Sequence, residues 1–496
     1  MINSLFDNFT ILNHALITEI FLVIAVLALL VCGVRKGDQY TGKLSVTAIV
    51  ILLLALILNA GLTPDSYNPW SEFITINNFI LLSKFLIIAS ALVSLLLYLS
   101  HLRYNVINCR FEYPVIVLLA VIGMLVMVSA NDFLTFYLAL ELQSLAIYIL
   151  VALNIKSKKS SEAALKYFVL GALTSGILLF GVSLIYGFSG SINFTHLATT
   201  VTNSPVSTTN LGVILGLIFV LAALCFKISA VPFHMWTPDV YQGSPTPVTI
   251  FMATAPKVAA FTILFRILYD PLKIYFASLE QILAVIAVLS LFIGAAGAIR
   301  QENLKRLLAY GSINHVGFML LAILAYNIQA VQALFIYLVI YLTLLFGAFA
   351  FLMLLKQSHH SADSADKKQL EDISSFAGLS KTYPALAVAF AILLFSMAGI
   401  PPFAGFFSKF YIFQAILLEG YYKIAVLAAL SAVIAAFYYL KIVKIMFFDE
   451  GQEIFDKKPN FITRYIFLIA VLFNISFFVK PGIITDYIKQ ALSGVF

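Results

Sequence analysis

A chain of 496 residues that is 62% hydrophobic and only 11% charged, with a mean hydropathy of +1.01, cannot cover its apolar surface as a soluble protein. Its net charge of +7 requires neither a nucleic acid nor an acidic partner, because lysines and arginines in cytoplasmic membrane loops account for it. Cys32, Cys109 and Cys225 lack metal-ligand spacing, and there is no GxGxxG after a strand and no P-loop lysine motif, so no zinc, iron–sulfur, haem, flavin or nucleotide site is expected in this chain.

Apolar runs of about 20 residues, each long enough to cross a bilayer, recur along the whole sequence, whereas a β-barrel would show short alternating segments. The expectation is an all-α polytopic membrane protein with about 14 spans, near 13–33, 44–61, 77–99, 113–130, 132–153, 161–187, 211–236, 247–269, 279–299, 304–325, 331–355, 384–416, 422–447 and 463–480. The first run lacks a basic stretch before it and is long enough to span, so it is read as a membrane helix and not a cleavable signal. The seventh span carries Pro232 in CFKISAVPFHMW and runs into TPDVYQGSPTP; the twelfth is too long and is cut by AGIPPFAGFF.

Loops after odd-numbered spans hold the basic residues: Arg35, Lys36 and Lys43; Arg103 and Arg110; Lys156, Lys158 and Lys159; Arg300, Lys305 and Arg306; Lys367, Lys368 and Lys381; Lys457, Lys458 and Arg464. Loops after even-numbered spans, such as TPDSYNPWSE and SGSINFTHLATTVTNSPVSTTN, are nearly bare. The positive-inside rule then places both termini on the outer side, and an even number of spans agrees. The one sizeable inward loop, KQSHHSADSADKKQLEDISSFAGLSKTYP, reads as a solvated connector.

The two proline breaks are five spans apart. An odd offset gives opposite orientation, which predicts an inverted repeat of spans 4–8 against 9–13. The chain would then divide into a three-helix segment at 1–110, a first five-helix repeat at 111–270, a second at 271–450 and a final helix at 451–496.

Most charged residues sit at span ends, but Glu141, Lys166, Lys227, Lys257 and Lys409 lie further inside. Each costs about 2.5–3.5 kcal/mol at the centre of a membrane helix, so such residues are paired or used. Lys166 is near enough to the inner end to snorkel, and a structural Glu141–Lys166 pair is a second reading. Neither explains all five. Burial disfavours the charged form of a lysine and a neighbouring carboxylate favours it, so a carboxylate followed by lysines on separate helices can pass protons in file. A proline frees a backbone carbonyl, and at membrane depth that is tolerated only in a protein interior or beside a water-filled cavity. His234 and His315 are weaker candidates, as proton carriers or as structural histidines. Lys305 marks the inner end of span 10, either as a topological charge or as an opening to solvent. Lys84 leans toward a structural role.

The segments ALELQSLAIYILVA, SSEAALKYFVLGALTSGILLFG, FKISAVPFHMWTPDVYQGSPTPV, ATAPKVAAF, NLKRLLAYGSINHVGF and AGIPPFAGFFSKFY resemble the antiporter-like, proton-pumping membrane subunits of respiratory complex I. The likeness is strongest to the NADH-quinone oxidoreductase subunit N family, called NADH-ubiquinone oxidoreductase chain 2 in mitochondria, and runs from about residue 110 to 450. It implies proton translocation coupled to NADH oxidation by quinone, with Glu141, Lys166, Lys227, Lys257 and Lys409 at the family's charged positions. It further implies that NADH, FMN, iron–sulfur clusters and quinone bind other subunits, and that the partners are neighbouring membrane-arm subunits. The implied location is a bacterial inner membrane, with the mitochondrial inner membrane as the alternative. A subunit of a multisubunit sodium/proton antiporter is the alternative function.

Overall fold

The computed structural model describes residues 14–64, 66–102, 110–203, 208–355, 371–451 and 460–492. Most of the inward connector, together with Arg103, Cys109, Lys367, Lys368, Lys457 and Lys458, lies outside the described residues. The helices are α1 (Ile17–Lys36), α2 (Thr41–Ala60), α3 (Asn78–Leu102), α4 (Glu112–Ser129), α5 (Phe133–Ala152), α6 (Lys158–Ser189), α7 (Phe194–Asn203), α8 (Thr208–Ile228), α9 (Trp236–Gly243) and α10 (Thr246–Tyr269). They continue with α11 (Phe276–Ile299), α12 (Leu304–Ala325), α13 (Ile328–Leu354), α14 (Leu379–Thr382), α15 (Pro384–Ala398), α16 (Ala404–Leu418), α17 (Tyr422–Phe448), α18 (Phe461–Val479) and α19 (Gly482–Leu492). Among the described residues, 13 helices are long and apolar enough to cross a membrane. The shorter apolar helices α15 and α16 are the two halves of expected span 12, which brings the spans to the number read from the sequence.

Both expected breaks are real, and their backbones match locally. α8 stops at Ile228, Ser229 takes a left-handed φ of 69°, and the Val231–Pro232 bond is cis. α15 stops at Ala398, Gly399 takes a left-handed φ of 87°, and the Pro401–Pro402 bond is cis. In each case the proline follows the left-handed residue by three positions. The Pro-rich stretch after the first break is helical where a loop was expected: Pro238 falls in the first turn of α9, where a missing N–H removes no intrahelical bond.

The chain forms two compact units, residues 1–228, 251–281 and 491–496, and residues 229–250 and 282–490. In the first unit α6 packs along α8 and α4 along α5. The α6–α8 crossing rests on reciprocal glycines. A Cβ on Gly181 would lie 2.7 Å from the Gly216 carbonyl oxygen, and one on Gly216 equally near that of Gly181, so only hydrogen lets the helices approach this closely. Arg266, near the end of α10, is consumed structurally. Its guanidinium donates to the carbonyls of Val128 and Ala130 at 2.8 and 2.6 Å, at the C-terminal end of α4, and to the Thr75 hydroxyl at 2.7 Å. The segment SGSINFTHLATTVTNSPVSTTN contains α7, whose start is fixed by Asn193: its Oδ1 accepts from His196 N at 3.1 Å, and Phe194 packs edge-on against Phe133. In the second unit α13 packs on α18 and α16, α15 on α17, and α9 on α12.

Candidate functional site

The first cluster is built on α5. Asp132 caps the helix, accepting from Leu134 N and Thr135 N at 2.8 Å each, a bond set worth about 1 kcal/mol to the helix start. From there Glu141, Ser144 and Tyr148 follow at i, i+3 and i+7, one face of a helix. Lys227, in the last turn of α8, places its Nζ on that face. It donates to Ser144 Oγ at 2.7 Å and to Tyr148 Oη at 3.4 Å. The ammonium also lies 5.7 Å from the Tyr148 ring centroid and 5.6 Å from that of Phe226. Ser175 of α6 donates a short hydrogen bond to Glu141 Oε1. The structure thus brings Glu141 and Lys227 to one strip of polar groups, with a serine between them.

Ser144, Tyr148 and Ser175 were missed in the sequence. The first two carried a signal, since they share a helix face with Glu141. Room for Tyr148 comes from Gly171 of α6: a Cβ there would overlap the phenol oxygen. Gly171→Ala should therefore push the hydroxyl off Lys227 without removing any polar group. Proton uptake per unit time is expected to fall several-fold while the subunit still assembles, because small misplacements of a reacting pair are amplified in rate. Unchanged uptake would show that Tyr148 is not needed beside the lysine.

Lys166 does not have the buried setting expected of it. Its side chain is 43% exposed and its Nζ pairs with Glu162 at 2.7 Å, one turn earlier on α6. The reason is angular. Ala163, Tyr167, Gly171, Thr174 and Ser175 define the buried face of α6, and residue 166 is turned about 100° from Tyr167.

Lys257 is buried at 1% exposure on α10, directly after Pro256 inside the helix. That proline has no N–H for the carbonyl four residues earlier, so polar backbone lies near this lysine.

The second cluster lies in the second unit. Lys409 of α16 donates to the carbonyls of Met397 and Ala398 at 3.2 and 2.8 Å, the last carbonyls of α15, and sits 5.3 Å from the Phe318 ring centroid. Three residues before Phe318 on α12, His315 bonds through Nδ1 to Tyr337 Oη at 2.6 Å. On the same helix Ser312 bonds Tyr341 Oη at 2.8 Å. His234 is half-buried in the first break and belongs to neither cluster. Lys305 sits apart at the start of α12, paired with Glu371 at 2.6 Å. Lys84 pairs with Glu19 at 2.6 Å, both almost fully buried. Among the described residues no group of three or more His, Cys, Asp or Glu is placed to hold a metal ion.

A family model described as NADH:quinone oxidoreductase/Mrp antiporter, transmembrane, matches residues 130–435, which include both breaks and Glu141, Lys166, Lys227, Lys257 and Lys409. NADH-quinone oxidoreductase subunit N of Paramagnetospirillum magneticum is 43% identical over 96% of this chain and 97% of its own length. That of Parvibaculum lavamentivorans is 44% identical over 94% of each. A chain of respiratory complex I from Thermus thermophilus, solved with bound aureothin, superposes with a TM-score of 0.77 at 30% identity, over 95% of this chain and 98% of that one. A chain of the Mrp complex from a Dietzia species has a TM-score of 0.76 at 20% identity, over 96% of both, and shares the fold. With two-fifths identity maintained along nearly its whole length, the chain belongs to the NADH-quinone oxidoreductase subunit N family.

Proposed function

We infer that this chain carries protons across the membrane arm of an NADH:quinone oxidoreductase, with Glu141, Lys227, Lys257 and Lys409 as the groups that hold and release them. One observation carries this reading: the Lys227 ammonium is held at membrane depth by two hydroxyls, Ser144 and Tyr148. A hydroxyl accepts from an ammonium and can also donate to a neutral amine, a part that falls to Tyr148 because Ser144 Oγ already donates to the Leu140 carbonyl. The site therefore suits both protonation states, which a purely structural lysine does not need. Glu141 lies one turn away on α5, and its bond from Ser175 ties it to α6. Lys166, paired with Glu162 on the exposed side of the same helix, acts on Glu141 through α6 and not as a member of the buried file. His315, bonded to Tyr337 near Phe318, serves the second cluster. His234 has a lesser claim than either.

The matching left-handed residue and proline of the two breaks support an inverted repeat of spans 4–8 and 9–13, one lysine to each break. Oxidation of NADH, with FMN, iron–sulfur clusters and quinone, belongs to partner subunits, and neighbouring membrane-arm subunits deliver the drive. The lysine- and arginine-rich loops support an orientation with both termini outside, and the bacterial relatives support a bacterial inner membrane.

The test is a pair of variants in the assembled complex. Lys227→Ala and Glu141→Ala should each reduce NADH-driven proton uptake roughly ten-fold or more, with the complex still assembled. Wild-type proton-to-electron ratios in both would overturn the mechanism. Sodium exchange by the purified complex, in place of NADH:quinone activity, would point to the antiporter function instead.

A further inference from the structure

At the start of α12 a buried lysine meets a carboxylate that reaches solvent. Lys305 has a side chain only 3% exposed, and its Nζ lies 2.6 Å from Glu371 Oε1, whose side chain is 22% exposed. The same ammonium donates to the Ser244 carbonyl at 3.1 Å, at the end of α9. Asn303 Nδ2 holds the other carboxylate oxygen at 3.1 Å. Two backbone bonds, Leu304 N to Glu371 O at 2.8 Å and Ile373 N to Glu302 O at 2.7 Å, fix the 371–373 strip against the 302–304 turn. Beside it Arg306 pairs with Asp239 at 2.6 Å, so the neighbouring charge is already neutralised and Glu371 answers to Lys305.

We propose that Glu371 is a proton-collecting residue, the carboxylate through which Lys305 exchanges protons with the aqueous face. The inference rests on the proton-carrying function above and adds its port. Surface carboxylates alone are ordinary. This one is fixed on both oxygens and touches an ammonium that is otherwise buried, at the start of a helix that also carries Ser312 and His315. The exchange balances. Lys305 gives up one proton inward, breaking an N–H bond and becoming a neutral amine. Glu371 takes one from water or buffer, forming an O–H bond. That bond then breaks as the proton passes 2.6 Å to Nζ, and the ion pair is restored with one proton moved inward. The alternative, a static peg joining α9, α12 and the returning strip, uses the same contacts but needs no exchangeable proton.

The whole complex, in inside-out membrane vesicles, separates the two. Glu371→Gln keeps the shape and can still bond Lys305 and Asn303, but it carries no proton. NADH-driven internal acidification is expected to fall roughly ten-fold. Raising inorganic phosphate on the outer face of the vesicles should relieve part of the loss, because it raises the proton supply at the solvent-reached side chain of residue 371, 22% exposed in the parent. Glu371→Asp should retain at least half. Wild-type acidification by Glu371→Gln would overturn the proposal. So would a loss that neither phosphate nor Glu371→Asp relieves, because that is the behaviour of a peg. Lys227→Ala, measured in parallel, keeps the two claims apart. If it is impaired while Glu371→Gln is normal, only the port fails. If both are normal, the proton-carrying function fails with it.

Discussion

Glu19→Ala should destabilise the chain by about 3–5 kcal/mol, because it leaves Lys84 charged and unpartnered in the protein interior. The pair joins α1 to α3: Lys84 Nζ lies 2.6 Å from Glu19 Oε1, with side-chain exposures of 1% and 6%. Neither group has water to fall back on, so the loss is that of a buried ion, not of a surface contact. Lys84→Met should be as damaging, since it strands the carboxylate. The double variant Glu19→Leu with Lys84→Met should recover to within about 1 kcal/mol of the parent, as buried pairs replaced by apolar residues of similar volume commonly do. Thermal unfolding of the purified complex and the amount of this subunit retained in it would report both effects. Proton uptake by the double variant should match the parent, because the pair satisfies itself and shares no hydrogen bond with Ser144, Tyr148 or Lys227. A double variant as unstable as the singles would refute the pairing energetics. A stable double variant that does not pump would give the pair a role in transport.

What could be read from the sequence divides along a physical line. Membrane spans and proline breaks are one-dimensional features: length, hydropathy and a missing N–H are properties of the chain itself. All 14 spans and both interruptions were therefore legible. The direction a side chain faces was not. Lipid and protein interior are both apolar, so a membrane helix such as α6 shows no polar face to orient it. Lys166 and Tyr167 are adjacent in sequence, yet Tyr167 is buried and Lys166 exposed. Ionic partners were lost for a related reason. Glu19 stands in the first turn of α1 and reads as an end charge, while Glu371 follows a polar loop and meets Lys305 only through the fold. The hydroxyls around Lys227 lay between these extremes, visible as a helix face once Glu141 was the reference point.

The structure sorts the intramembrane and near-membrane lysines by partner. Lys84 and Lys305 rest on carboxylates, Lys227 on hydroxyls and Lys409 on carbonyls. In sequence Lys227 precedes its proline and Lys409 follows its own, an asymmetry between the two breaks. The structure removes part of that difference. Lys227 belongs to the last turn of α8, and Lys409 reaches back from α16 to the last carbonyls of α15. Both positive groups are therefore associated with the C-terminal, negative end of the first half-helix.

For Lys409 this creates two separable duties, capping a helix end and exchanging a proton. Carbonyls only accept, so they stabilise the ammonium and offer a neutral amine nothing. Release of the proton must then be compensated by another donor near Met397 and Ala398, such as a channel water. Lys409→Met removes both duties: proton uptake should fall roughly a hundred-fold, and the uncapped carbonyls should cost about 1.5–3 kcal/mol. Lys409→Arg keeps the cationic donors but does not deprotonate in proteins. It should retain the thermal stability of the complex while losing proton uptake to the same extent as Lys409→Met. If Lys409→Arg pumps normally, the residue is a cap and the proton passes elsewhere. If Lys409→Met pumps normally but unfolds early, the same conclusion follows from the other side.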